Sequence, residues 1–78
     1  MTRHSSHEQD RRFLAALRTG PVSSIEAAND LDIVHPPSTI RRLRNRGHYI
    51  ITNWISQATE RGRPPHRVAK YVLVREAS

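Results

Sequence analysis

The sequence has no cysteine, a single lysine, four aromatic residues and no long apolar stretch. Without cysteine, the 78-residue chain can form neither a disulfide nor a thiolate metal site, so a compact core alone must stabilise it. No apolar run approaches the roughly 18 residues that span a membrane, and the N-terminal ten residues are polar where a secretory signal would be apolar. We therefore expect one cytoplasmic domain, in a bacterial cell or in the host cell of a virus, without membrane association.

The residue groupings that carry catalysis are also missing. There is no glycine-rich phosphate loop and no grouping of Ser, His and an acidic residue. Asp30 and Asp32 lie close together in sequence, but they are better explained as the end of a helix than as a catalytic pair of carboxylates. The five histidines are scattered, which does not suit a metal site. The sequence thus predicts a protein that is not an enzyme and needs no cofactor.

Charge is distributed unevenly along the chain. Residues 1–32 carry four basic and five acidic side chains, whereas residues 33–78 carry nine basic and only two acidic ones. Twelve of the thirteen basic residues are arginine, whose planar fork of donors suits phosphates and guanine edges better than lysine does. The asymmetry indicates that the C-terminal half binds a polyanion, although a basic surface kept for solubility is the simpler alternative.

Two helices are predicted in the N-terminal half. We expect a flexible polar lead-in over residues 1–7, a domain over 8–75 and a tail over 76–78. Apolar residues at helical spacing predict a first helix from about Glu8 to Thr19, which Gly-Pro at 20–21 ends. Ser23 and Glu26 have the spacing of a capping box, which predicts that a second helix begins at Ser24. The buried face of this helix is expected to carry Ile25, Ala28 and Leu31.

A third helix is predicted from about Ser38 to Arg46, ending at Gly47. The helix begins either with a proline at its first position or with Ser38 as its N-cap. Ile40 and Leu43 share one edge, which should dock on the core, while Arg and Asn on the other side can bond to guanine and adenine edges in the major groove. The residues expected to face DNA are Ser38, Arg41, Arg42 and Asn45. Thr39 and Arg46 are expected to flank them. Arg44 could instead pair with an acid of the second helix or contact a phosphate.

Two β-strands follow the helices. β-Branched and aromatic residues dominate 49–55 and 67–74, and the polar stretch 59–66 between them is rich in turn formers, which predicts a hairpin. Trp54 and Tyr71 are expected to be core or hinge aromatics of this sheet rather than a stacking platform. Arg67 is expected to contact DNA from the hairpin.

The hairpin loop spells Arg-Gly-Arg-Pro at residues 61–64. This tetrapeptide resembles the core of an AT-hook, which implies that Arg61 and Arg63 enter the narrow minor groove of A·T-rich DNA. The alternative is that both arginines contact phosphates or are solvated.

Several longer stretches resemble one known family. They are Ser-Ile-Glu-Ala-Ala at 24–28, Ile-Arg-Arg-Leu-Arg at 40–44, Gly-His-Tyr-Ile at 47–50 and Arg-Val-Ala-Lys-Tyr at 67–71. With three helices and a hairpin, the chain resembles winged helix-turn-helix domains, in particular small phage and prophage regulators. The resemblance implies an α+β fold, three helices followed by a two-stranded wing, and DNA binding in viral transcription, excision or replication control. Pro36 and Pro37 depart from the pattern, so the third helix is expected to start late.

Double-stranded DNA is therefore the expected partner. The third helix would enter the major groove, and the basic wing would hold the backbone or the minor groove. The sequence leaves open a homodimer that pairs on two half-sites. It also leaves open an acidic host protein as the partner, which a virus-encoded basic domain could bind and inhibit.

Overall fold

The computed structural model describes residues 5–57, 62, 64 and 66–78. The chain forms three helices and a small antiparallel sheet. In chain order the elements are α1 (Ser6–Thr19), β1 (Val22–Ser23), α2 (Ser24–Asp30), α3 (Pro36–Asn45), β2 (Tyr49–Gln57) and β3 (His66–Arg75).

Helix α1 begins two residues before the predicted start at Glu8. The Ser5 hydroxyl accepts a hydrogen bond from the Glu8 backbone N–H at 3.2 Å, which caps the first turn. Phe13 and Leu17 turn their side chains into the core, with 0% and 3% of their surface exposed. The cap explains the earlier start, because it satisfies a free N–H of the first turn.

The capping box predicted for α2 is confirmed. The Glu26 backbone N–H donates to the Ser23 hydroxyl, and the Ser23 backbone N–H donates to the Glu26 carboxylate, both at 3.0 Å. The prediction of its buried face was wrong in one respect, because Ala27 is fully buried while Ala28 is exposed. Ala27 and Ala28 lie a third of a turn apart, and only the docked register of this seven-residue helix decides between them.

Helix α3 begins at Pro36, so the expectation of a late start was wrong. Pro36 and Pro37 occupy its first two positions, where the missing N–H groups have no intrahelical acceptor in any case. The predicted end is confirmed, since Arg46 caps the helix and Gly47 follows with φ of +99°.

The sheet has three antiparallel strands in the order β1-β3-β2, so the prediction of a two-stranded sheet was incomplete. Val22 in β1 pairs with Tyr71 in β3, and β3 pairs with β2 along the length of both strands. Strand β1 has only two residues, which is too short to show an alternating pattern in the sequence.

The core lies between the helices and one face of the sheet. Phe13 meets Tyr71 edge to face, with ring centroids 5.9 Å apart, and Tyr71 is 4% exposed. Burial raises the pKa of the Tyr71 phenol, and the positive charge of Arg44 opposes that shift. The prediction that Tyr71 is a core aromatic is confirmed. Trp54 is 61% exposed, so its prediction as a core aromatic was wrong.

Candidate nucleic-acid interface

One face of α3 points away from the core and is basic. Pro37, Arg41 and Asn45 are exposed and lie four residues apart, so they form one row along the helix. Within the described residues, Arg41 makes no hydrogen bond or ion pair. Its guanidinium is therefore available to an external acceptor.

Two residues predicted for this face lie elsewhere. Thr39 is 1% exposed, and its hydroxyl accepts a hydrogen bond from the Arg42 guanidinium at 3.1 Å. Arg42 also donates from Nε to the two carboxylate oxygens of Asp10 in α1, at 2.9 and 3.2 Å, and its Nη2 lies 2.8 Å from Oδ1. Arg42 thus joins α3 to α1 instead of standing free on the exposed face.

Asp10 contacts a second arginine at the end of α3. Its carboxylate is 1% exposed, and Nη2 of Arg46 lies 3.3 Å from its Oδ2. The Arg46 side chain is still 54% exposed, so this residue lies at the edge of the exposed face and keeps access to solvent. Ser38 is half-buried at the other end of the helix, where its hydroxyl lies 2.6 Å from Nδ1 of His35.

Arg44 holds the end of α3 against β2. Its guanidinium donates to the Ile50 carbonyl at 3.0 and 2.8 Å and to the Thr52 hydroxyl at 2.9 Å. Neither of these partners of Arg44 is charged. The described contacts of Arg44 therefore do not include the ion pair with an acid of α2 that was one of the two expectations for it. The contacts fix the angle between α3 and the strand pair that extends beyond it.

The strand pair carries a second basic feature, the exposed Arg67. Its guanidinium carbon lies 5.1 Å from the ring centroid of Trp54, which is a cation–π contact. The predicted wing residues Arg61 and Arg63 lie outside the described residues, so the AT-hook hypothesis for them remains a hypothesis.

Trp54 lies in solvent and not in the core that its residue type predicts. Asn53, which precedes it, and Ser56, the next residue on its own strand face, are polar and exposed, a pattern that indicates a strand leaving the core. That signal was available in the sequence, but the aromatic residue type suggested burial.

Two acidic side chains, Glu8 and Glu76, pair with arginines that lie outside α3. A hydrogen bond from Arg11 lowers the pKa of the Glu8 carboxyl, and a hydrogen bond from Arg18 does the same for Glu76. On α3 itself the exposed charges are arginines, which makes this face electropositive.

The residues described include no group of three or more His, Asp or Glu side chains that could hold a metal ion. Across the same residues, no helix combines the length and apolar character needed to cross a membrane.

Comparison with known proteins gave one match. A family model described as a winged helix-turn-helix domain matches residues 8–76. No curated protein and no solved structure matches the chain.

Proposed function

The chain belongs to the winged helix-turn-helix domain family, and from this premise we propose that it binds double-stranded DNA through the exposed face of α3. Membership of the family supports DNA binding in general. The order of elements also supports it, since α2 and α3 follow one another as the two helices of such a motif do, and β2 and β3 come after them, where such domains carry a wing.

The observation that carries the proposal is the exposed row of Arg41 and Asn45. Arginine bonds bidentately to guanine O6 and N7, and asparagine bonds to adenine N6 and N7. The two residues lie one helical turn apart, so both can face one major groove. Arg41 has no competing partner within the described chain, so binding a base breaks no internal ion pair.

The other predicted contact residues take supporting positions in this proposal. Arg46 and Ser38 lie at the edges of the α3 face and suit phosphate contacts. Arg42 and Thr39 position α3 through Asp10 rather than touching bases. Arg67, together with Arg61 and Arg63 in the wing, would contact the adjacent backbone or minor groove.

Sequence preference and a role as a phage or prophage regulator of transcription, excision or replication are part of the same proposal. Both rest on the resemblance of the sequence to such regulators and on the base-reading chemistry of Arg41 and Asn45. We also propose that the protein has no catalytic activity and acts in the cytoplasm. A homodimer would add affinity by pairing on two half-sites.

An acidic protein surface is the second candidate partner. The specific observation that favours it is the electropositive α3 face, because a carboxylate is bound bidentately by arginine as readily as a phosphate is. A protein partner would use the same Arg41, so the two proposals differ in the ligand and not in the site.

The test is duplex binding by Arg41→Ala and Asn45→Ala, measured by fluorescence anisotropy with a labelled duplex selected from a random-sequence pool. Loss of a bidentate base contact costs about 1–3 kcal/mol, so each variant should bind the selected duplex roughly 5-fold to 150-fold more weakly. The two variants should also discriminate less between the selected and a scrambled duplex.

Arg11→Ala is the matched control, because it removes the same charge from an exposed arginine that pairs with Glu8 on α1. It should bind within a few-fold of the wild type. Equal losses for Arg11→Ala and Arg41→Ala would show that only net charge matters, and selection of no duplex at low salt would favour the acidic protein partner.

A further inference from the structure

Trp54 is an exposed aromatic side chain on β2, and it lies beside Arg67 of β3. We propose that these two residues form a stacking site for an unpaired DNA base, so that the preferred ligand is a duplex containing a base outside the helical stack. This inference rests on the proposed DNA binding. It goes further by specifying which kind of DNA structure the protein prefers.

The strand register places both residues on one face of the wing. Trp54 pairs with Ala69 and Arg67 pairs with Ser56, and directly opposed residues of antiparallel strands share a face. On the same face of the sheet, Thr52 pairs with Tyr71 and Ile50 pairs with Leu73. This part of the face packs on the helices. Trp54 is therefore the first residue of this β2 face to extend past the core.

The stacking site adjoins the recognition helix. Arg44 of α3 donates to the Thr52 hydroxyl at 2.9 Å, and Thr52 is the neighbour of Trp54 on the same strand face, roughly 7 Å away along the strand. Arg44 in turn lies one turn from Arg41 on α3. DNA bound to the α3 face would thus pass beside Trp54, and no rearrangement of the domain is needed to bring the two together.

The chemistry of the pair suits a base better than a protein side chain or a paired duplex. Trp54 is 61% exposed as a residue, so part of its flat apolar side chain lies in water, where a nucleobase can cover it by stacking. Arg67 contacts the ring and adds a positive charge for the neighbouring phosphate. An aromatic surface with an adjacent cation is the combination that single-stranded nucleic-acid sites use. Bases inside a duplex are already stacked, so only a base at a bulge, an end or a kinked step could bind here.

Trp54 is the sole tryptophan of the chain, so tryptophan fluorescence, excited at a wavelength that tyrosine does not absorb, reports on this site alone. We would titrate the protein with two duplexes of one sequence, fully paired or carrying a single unpaired base, and follow both tryptophan quenching and anisotropy. One stacked base should make the bulged duplex bind roughly 10-fold tighter, with strong quenching that the paired duplex does not cause. Trp54→Leu should bind both duplexes equally, and Trp54→Phe should keep part of the preference.

The variants are exposed and should fold, which a thermal melt of each checks. Equal affinity and equal fluorescence of the wild type with the two duplexes would overturn the stacking site. If both duplexes bind equally while Arg41→Ala weakens both, the stacking proposal alone fails. If neither duplex binds at low salt, the proposed DNA binding fails with it.

Discussion

The ion pair between α1 and α3 gives the most quantitative prediction, the effect of Asp10→Asn. Asparagine keeps the size of Asp10 but replaces one carboxylate oxygen with an NH₂ group. Oδ1 and Oδ2 accept from Arg42 and Oδ2 faces Arg46, so the new NH₂ group would oppose at least one guanidinium donor. The substitution removes the charge that compensates Arg42 at a carboxylate that is 1% exposed.

The magnitude follows from the burial of the partners. Removing one partner of a fully buried ion pair costs about 3–5 kcal/mol. The side chains of Arg42 and Arg46 are 34% and 54% exposed, so water solvates part of the guanidinium that is left unpaired. We therefore expect the free energy of unfolding to fall by about 2 kcal/mol. For a domain of this size, that loss lowers the melting temperature by roughly 10 °C.

The assay is thermal unfolding followed by circular dichroism, with Glu8→Gln as the matched control. Glu8 pairs with Arg11 on the surface of the same helix, where solvent screens an ion pair and its contribution to stability is small. A fall in melting temperature after Asp10→Asn that is no larger than after Glu8→Gln would refute the reasoning. The Asp10 contacts would then contribute nothing beyond an ordinary surface pair.

Three further predictions concern helix ends. Gly47→Ala should lower the free energy of unfolding by about 1–2 kcal/mol, because φ of Gly47 is +99° and the added Cβ would lie 3.3 Å from the Cβ of Ala77. A denaturant titration measures this loss, and an unchanged midpoint would contradict the prediction. Ser23→Ala should cost about 1 kcal/mol through loss of the α2 cap, measured in the same way. Hydrogen bonds from Ser23 lower the pKa of the Glu26 carboxyl below 4.5. Glu26 therefore stabilises the fold above pH 4.5 and loses that contribution as pH falls through its lowered pKa. Glu26→Gln should show a smaller fall in melting temperature between pH 7 and about pH 3 than the wild type does.

Local signals predicted the parts of the fold that local chemistry decides. The capping box of Ser23 and Glu26 involves residues three apart, and the end of α3 needs a conformation that Gly47 adopts readily. Both features are visible in a few residues of sequence. The family resemblance then supplied the order of helices and wing, which the match to residues 8–76 supports.

Long-range contacts decided the features that the sequence analysis missed. Arg42 was expected to face DNA, but its partner Asp10 lies 32 residues earlier, and no local pattern reveals such a pair. Thr39 is buried because the α1 contact sets the rotation of α3. Trp54 is exposed because β2 is longer than the helical layer that covers it. The centre of the presented face therefore moves from Arg42 to the row of Arg41 and Asn45.

The most direct test of DNA binding by α3 is a salt titration of duplex affinity for the wild type and for Arg41→Ala. Each neutralised phosphate contributes about 0.9 to the slope of log affinity against log salt, so several contacts give a steep fall for the wild type. If Arg41 contacts a base, Arg41→Ala should weaken binding to the preferred sequence with little change in slope. If it contacts a phosphate, the slope should drop by about 1. An affinity and a slope that Arg41→Ala leaves unchanged would contradict the account, because the exposed face of α3 would then not touch DNA.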